Sequence, residues 1–246
     1  MIQIETVAMT AAGFAIHPTP TPAPAHLLDA LRRVPTPHIS DNLQRLTGIA
    51  GLRPFHRGAK LVGTALTVKT RPGDNLLIYK ALMSASPGHV LVVDGGGETS
   101  NALVGELIML YAQQRGCTGI VLDGAVRDVA AFRDADFPCY AREAIHRGPY
   151  KTGPGAINVP VCLGGQVVAP GDIVVGDEDG LVTFAPSEVP RLLHAIDRTT
   201  QIEEAIRAEI ANGMVEQSWL AKARGPHGLR SNASLNSRPL RIRRTS

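Results

Sequence analysis

Glu106 and the adjacent pair Arg127-Asp128 are the residues whose types and spacing could do chemistry, with twenty positions between the glutamate and the arginine. Arginine presents a rigid planar fork that matches a carboxylate. Aspartate presents a hard oxygen ligand suited to Mg²⁺ or Mn²⁺, ions that usually keep several waters. Gly105-Glu106 stands where a helix begins, and the free N–H groups of a first helical turn bind carboxylate or phosphate. Together these groups describe a pocket for a small 2-oxo acid chelating a divalent metal. An isolated Arg-Asp pair is ordinarily a solvated surface pair worth little, and a lone Glu106 could simply complement a helix dipole. The place of Arg127-Asp128 directly after an apolar strand, with its spacing to Glu106, argues for function instead.

The elements that must position these residues follow from periodicity. Residues 89–94 form a wholly apolar run, the mark of a strand buried on both faces. Residues 106–115 are helical and end at Gly116, and residues 118–122 form a second buried strand. This strand–helix–strand alternation predicts a parallel crossover unit, and ligands favour the carboxyl edge of such sheets. Upstream, residues 25–34 read as a helix stopped by Pro35 and Pro37. Ser40 or Asp41 can cap a short helix through Leu46, residues 59–70 read as a strand, and Asp74 caps a helix through about Ser84. After Pro138, short strands near 138–142, 157–161, 166–168, 172–176 and 180–184 predict a β-rich layer. A long helix spans about 187–212. The fold class is therefore α/β, in three stretches: an N-terminal extension (1–24) that closes with a Pro/Thr linker over 17–24, extended and structureless; a single domain (25–219); and a basic disordered tail (220–246).

Composition narrows the function classes. The chain has 246 residues and a net charge of +3, but from Lys222 onward it carries seven Lys/Arg and no acid, which leaves a net −4 before that point. A mildly acidic body does not suit nucleic acid, and no apolar run is long enough to span a bilayer. The three cysteines form no C-x-x-C pair, which argues for a reducing compartment and against a zinc site or disulfide framework. The reading is a cytoplasmic protein. The Gly95-Gly96-Gly97 run after Asp94 is either a tight turn or a close backbone approach; a methyltransferase motif fails because Glu98 occupies its second glycine position. Asp172, Asp177, Glu178 and Asp179 read as turn acids rather than a metal loop. His38, His89 and His146 lack ligand spacing, and Cys117 reads as packing.

The pieces Gly95-Gly96-Gly97, Gly105-Glu106-Leu107, Gly124-Ala125-Val126-Arg127-Asp128, Gly171-Asp172 and Asp179-Gly180 resemble the RraA-like group, over roughly residues 36–215. That group includes class II pyruvate aldolases acting on 4-hydroxy-4-methyl-2-oxoglutarate. The resemblance implies a β/β/α swivelling-domain-like sandwich, a ring-shaped homotrimer and sites between subunits. It implies that Gly105, Glu106, Leu107 and Ile108 hold pyruvate's carboxylate, that Arg127 binds the substrate and that Asp128 binds the metal. A glutamate from the neighbouring subunit's C-terminal helix is also implied, with Glu203 the better candidate and Glu204 the other. Glu106 stands where the aldolases usually carry Asp, and Ala131 stands where some members carry an acid.

The implied mechanism is enolate chemistry: retro-aldol cleavage of a 4-hydroxy-2-oxo acid to pyruvate, and decarboxylation of oxaloacetate through the same enolpyruvate. Glu106 would hold a water that serves as proton donor or acceptor. Some relatives are instead regulators that bind and inhibit an RNA-degrading endonuclease. Position 106 discriminates, with glycine expected in the regulators and an acid in the aldolases. A trimeric scaffold without activity is the third reading.

Overall fold

Ten of the twelve strands hydrogen-bond into one mixed sheet, and the apolar runs read from the sequence lie at its centre. The computed structural model describes residues 13–214 and 218–219. Among them the order is β1 (Phe14–Ile16), α1 (Ala25–Arg32), α2 (Thr36–Asn42), β2 (Arg53–Pro54), β3 (Leu61–Thr70), α3 (Leu76–Ser84), β4 (His89–Asp94), β5 (Ala102–Val104) and α4 (Glu106–Gln114). Then come β6 (Gly119–Val126), α5 (Val129–Ala135), β7 (Cys139–Ala144), β8 (Gly155–Ile157), β9 (Val161–Leu163), β10 (Gln166–Val168), β11 (Ile173–Asp177), β12 (Gly180–Phe184) and α6 (Val189–Ala211).

The sheet runs β1-β8-β3-β4-β6-β7-β2, with β11 and β12 attached antiparallel through β3 and β5 attached to β6. Strands β3, β4, β6 and β7 are mutually parallel, with Val92 opposite Val121 and Val121 opposite Tyr140. Every residue of β4 and β6 is buried, as strands covered on both faces require. One face packs under α3, α4 and α5, where Leu66, Leu91 and Leu122 meet Ile78, Ile108 and Phe132. The other carries Ala65, Val92 and Val121 against Val161, Leu163 and Val168 of the separate β9–β10 hairpin. Helix layer, central sheet and outer β layer form the expected β/β/α sandwich. The chain divides into two compact units, the first ending at Asp197 and the second beginning at Arg198.

Several elements differ from expectation. Pro35 and Pro37 do not separate two helices at Ser40; α2 begins at Thr36, with Pro35 at its N-cap and Pro37 in its first turn. Proline lacks the N–H that a first turn does not need, and its φ is already helical. Helix α2 ends at Asn42, and Gln44 and Arg45 then adopt positive φ. Strand β6 does not stop at Leu122 but runs to Val126, because the unforeseen β5 pairs with its last residues, Ala125 and Val126. The 157–161 stretch splits into the ends of β8 and β9 around Asn158, which has φ 58°. The Pro/Thr segment is extended but anchored. Ala23 N–H donates to Thr64 Oγ1 at 2.8 Å, His17 N–H to the Ile157 carbonyl at 3.1 Å, and His89 Nε2 to the Pro20 carbonyl at 2.9 Å. The basic tail at 220–246 lies outside the described residues. No described helix is long and apolar enough to cross a membrane.

Candidate functional site

Two short stretches of chain leave the sheet side by side. Strand β5 ends at Val104 and passes through Gly105 into α4; β6 ends at Val126 and passes through Arg127-Asp128 into α5. Arg127 N–H donates to the Val104 carbonyl at 2.9 Å, so the two carboxyl ends are locked together. This juxtaposition needs β5, which is too short to show a period of its own.

Asp128 occupies the N-cap position of α5 with φ 55° and ψ 41°. A non-glycine residue in the left-handed region is uncommon, though aspartate is among the few types enriched there, and such residues concentrate at binding and catalytic sites. The conformation carries the carboxylate back over the start of α4. Its Oδ2 accepts the Glu106 amide at 3.1 Å and lies 3.5 Å from Arg127 Nε. Gly105 makes this approach possible: a Cβ built there would stand 2.5 Å from Asp128 Oδ2 and 2.9 Å from Arg127 Cγ. Here the glycine serves close packing rather than a special φ, which is −150°. Arg127 and Asp128 keep 40% and 43% of their side-chain surface, so each retains capacity for a ligand. Asp128 Oδ1 has no partner among the described residues.

Gly105 to Ile108 form the start of α4 as expected, but the amides of that turn are not all free. Glu106 N–H is taken by Asp128, and Ile108 N–H by the Gly105 carbonyl at 3.1 Å. Leu107 is exposed and Ile108 buried. It is the Glu106 backbone that meets Asp128; its side chain points to solvent from the first turn of α4. Glu203 lies on α6 in the second unit, paired with Arg207 at 3.2 Å, and Glu204 is its exposed neighbour.

The fold adds residues that spacing could not reveal. Arg127 and the 105–108 turn line a cleft together with Asn75, Tyr79, Pro149 and Lys151. Asn75 is buried, its Nδ2 donates to the Leu103 carbonyl at 3.0 Å, and its Oδ1 has no partner. On the other side of Arg127 and Asp128, His146 lines a second hollow. Asn75 and Tyr79 come from the start of α3, and His146, Pro149 and Lys151 from the stretch between β7 and β8, with no periodic or motif signal to mark them.

Other candidates are structural. The Gly95–Gly97 turn closes on β6, with Gly97 N–H donating to the Asp123 carbonyl at 3.1 Å and Asp94 Oδ1 accepting from Gly96 at 3.0 Å. Asp177 binds Thr36 N–H at 2.8 Å and Lys60 Nζ at 2.9 Å, and Asp172 accepts from Ala169 at 2.8 Å. Burial pushes the Cys117 thiol up to about 11, which suits packing and not nucleophilic attack. No group of three or more His, Cys, Asp or Glu gathers as a metal cage among the described residues. A site with one direct carboxylate and one nearby acid is the pattern of a Mg²⁺-type ion that keeps most of its waters, and Asp128 with Glu106 fits such an ion.

Residues 36–183 match the RraA-like family, described as Aldolase/RraA. The chain belongs to that family. A Halalkalibacterium halodurans relative named "Putative 4-hydroxy-4-methyl-2-oxoglutarate aldolase" is 36% identical over 193 residues, covering 78% of this chain and 92% of the relative. Among solved structures, a Pseudomonas syringae pv. tomato protein superposes with a TM-score of 0.70 at 25% identity, over 79% of this chain and 96% of its own. Streptomyces coelicolor RraAS2, described as an unusual member of the RNase ES inhibitor RraA protein family, gives 0.68 at 28% identity, over 76% and 97%.

Proposed function

We propose that this Aldolase/RraA protein is a divalent-metal-dependent carbon–carbon lyase, cytoplasmic and homotrimeric. It would cleave 4-hydroxy-2-oxo acids of the 4-hydroxy-4-methyl-2-oxoglutarate type to pyruvate and decarboxylate oxaloacetate. The observation that carries this reading is the meeting of Arg127, Asp128 and the Gly105–Glu106 turn at two parallel strand ends, with Asp128 held in a left-handed conformation. The aldolase name of the Halalkalibacterium relative supports it.

Asp128 would hold Mg²⁺ or Mn²⁺, which when bound supplies Lewis-acid polarisation of the 2-oxo group. Arg127 aims its fork at the substrate carboxylate and the oxygen that gains charge as the C3–C4 bond breaks, where a fixed cation lowers the barrier most. The Leu107 amide, in the first turn of α4, is the donor left for a carboxylate oxygen. Glu106, one methylene longer than aspartate, would hold a water that returns a proton to C3 of the enolate. Glu203 of a neighbouring copy would complete the site, with Glu204 as the alternative. The test is pyruvate release from oxaloacetate and from a panel of 4-hydroxy-2-oxo acids with Mg²⁺ or Mn²⁺. Release no faster than with the metal alone would overturn the lyase reading.

The similarity to RraAS2 favours a second reading, a regulator that binds and inhibits an RNA-degrading endonuclease. An acid at position 106 argues against it. Capture of a ribonuclease by the purified chain, together with absent lyase activity, would reverse the ranking.

A further inference from the structure

Asp74 is the most deeply buried carboxylate among the described residues, with 0% exposure, and the proposed chemistry does not use it. Its place was expected to be the cap of α3. Asn75 occupies that position instead, although Asp74 Oδ1 still accepts the Leu76 amide at 3.0 Å. The other oxygen turns away from the helix. Oδ2 accepts the Thr152 amide at 2.6 Å, the Gly153 amide at 3.0 Å and the Thr152 hydroxyl at 3.1 Å. A single carboxylate thus joins the start of α3 to the loop that precedes β8, through charge-assisted bonds shielded from water.

That loop is stitched along its length. Tyr150 N–H donates to the Gly73 carbonyl at 2.8 Å, and Asn75 N–H to the Tyr150 carbonyl at 3.0 Å. Asn101 Nδ2 donates to the Gly148 carbonyl at 2.6 Å. Between the anchored residues, Pro149 and Lys151 enter the cleft shared with Arg127 and Gly105. Gly148 lies beneath the Arg127 guanidinium, where an added Cβ would stand 3.0 Å from Nη1. Asn75, whose Oδ1 lacks a partner, sits on the helix side of the same junction.

We propose that Asp74 is a positioning residue: by clamping Thr152 and Gly153 to the start of α3, it holds Lys151 in the Arg127 cleft as a second cation for an anionic substrate. The inference rests on the lyase reading above. A loop that loses its clamp still leaves Arg127 and Asp128 in place on the sheet, so substrate capture suffers more than the chemical step.

The test uses the full-length protein and three variants. Asp74→Asn should raise KM for oxaloacetate about 5- to 10-fold with kcat changed less than about twofold, the pattern of lost uniform binding. Thr152→Val removes the hydroxyl bond to Asp74, together with the one that hydroxyl accepts from Arg71 Nη2 at 3.1 Å, and should move KM the same way by less. This keeps the test decisive if Asp74→Asn fails to fold. Lys151→Ala should raise KM by an amount that Asp74→Asn does not add to when the two are combined, because both remove the same contact. Without substrate, amide exchange at Thr152 and Gly153 should speed up in Asp74→Asn. Unchanged exchange would overturn the clamp. Fast exchange with an unchanged KM, or fully additive effects, would overturn its link to the cleft. A wild-type protein inert toward every 2-oxo acid would instead overturn the lyase reading and that link together, while exchange would still decide the clamp.

Discussion

Two arginine–aspartate pairs stand at the carboxyl end of β6, one through Asp123 within the strand and one, Arg127-Asp128, directly after it, and they are built in opposite ways. Asp123 is 7% exposed and pairs with Arg142 of β7, itself 32% exposed, beneath the Gly95–Gly97 turn. Its backbone carbonyl accepts from Gly95 and Gly97, so the carboxylate and its neighbours are spent on holding the sheet end. Arg127 and Asp128 are adjacent in sequence, 3.5 Å apart and both well exposed, and the aspartate stands in a strained backbone conformation. Breaking a buried, saturated pair is costly because it leaves a charge without its partner; exposed pairs contribute little to stability but keep donors and lone pairs for a ligand. Residue types alone do not separate the two. Saturation does.

The largest expected break in this contrast is Asp128→Ala, which should lower metal-dependent pyruvate release about a hundredfold or more while shifting the urea midpoint little. Arg127→Lys should follow at about tenfold to a hundredfold, because a point charge cannot replace the fork; full rates in either variant would remove that residue's role. Gly105→Ala pushes a Cβ onto Asp128 Oδ2 and should cost about tenfold in kcat/KM, with stability within about 1 kcal/mol of wild type. Asp123→Ala should invert the pattern, losing about 2 kcal/mol in urea denaturation with little change in metal affinity.

The smallest effect belongs to neither pair and sets the pH at which they are compared. Burial holds the His89 imidazole below its usual range, against the opposing pull of its bonds to Pro20 and Ser86. The ring donates through Nε2 to the Pro20 carbonyl and accepts at Nδ1 from Ser86, the arrangement of a neutral imidazole. Its folded pKa lies below the unfolded one, so the unfolded chain binds more protons as pH falls from about 6.5. Stability from His89 is therefore full at pH 7 and declines toward pH 5. His89→Gln should flatten that part of the urea-midpoint profile; an unchanged slope would show that His89 does not titrate there.

The buried centre of the fold was legible from apolar runs. Residues 89–94 form β4 with the expected bounds, and the helix over 106–115 matches α4 to within one residue. Positions decided by tertiary pairing were not. Strand β5 has three residues, too few for a period, yet it extends β6 and sets the geometry of Arg127. The left-handed turn at Asp128 and the docking of Pro20 on His89 likewise depend on partners remote in sequence. Within the site, Gly105, Glu106, Arg127 and Asp128 could be found by type and spacing. Asn75, Tyr79, His146 and Lys151 could not, since only the fold brings the start of α3 and the β7–β8 stretch near.

The most direct test is calorimetric titration of Mn²⁺ in the presence of oxalate, a stable mimic of the enolate of pyruvate, into wild type, Asp128→Ala and Asp123→Ala. Wild type and Asp123→Ala should bind with similar affinity, and Asp128→Ala should show no saturable binding. Undiminished binding by Asp128→Ala would contradict the assignment of the open pair as the metal and substrate site.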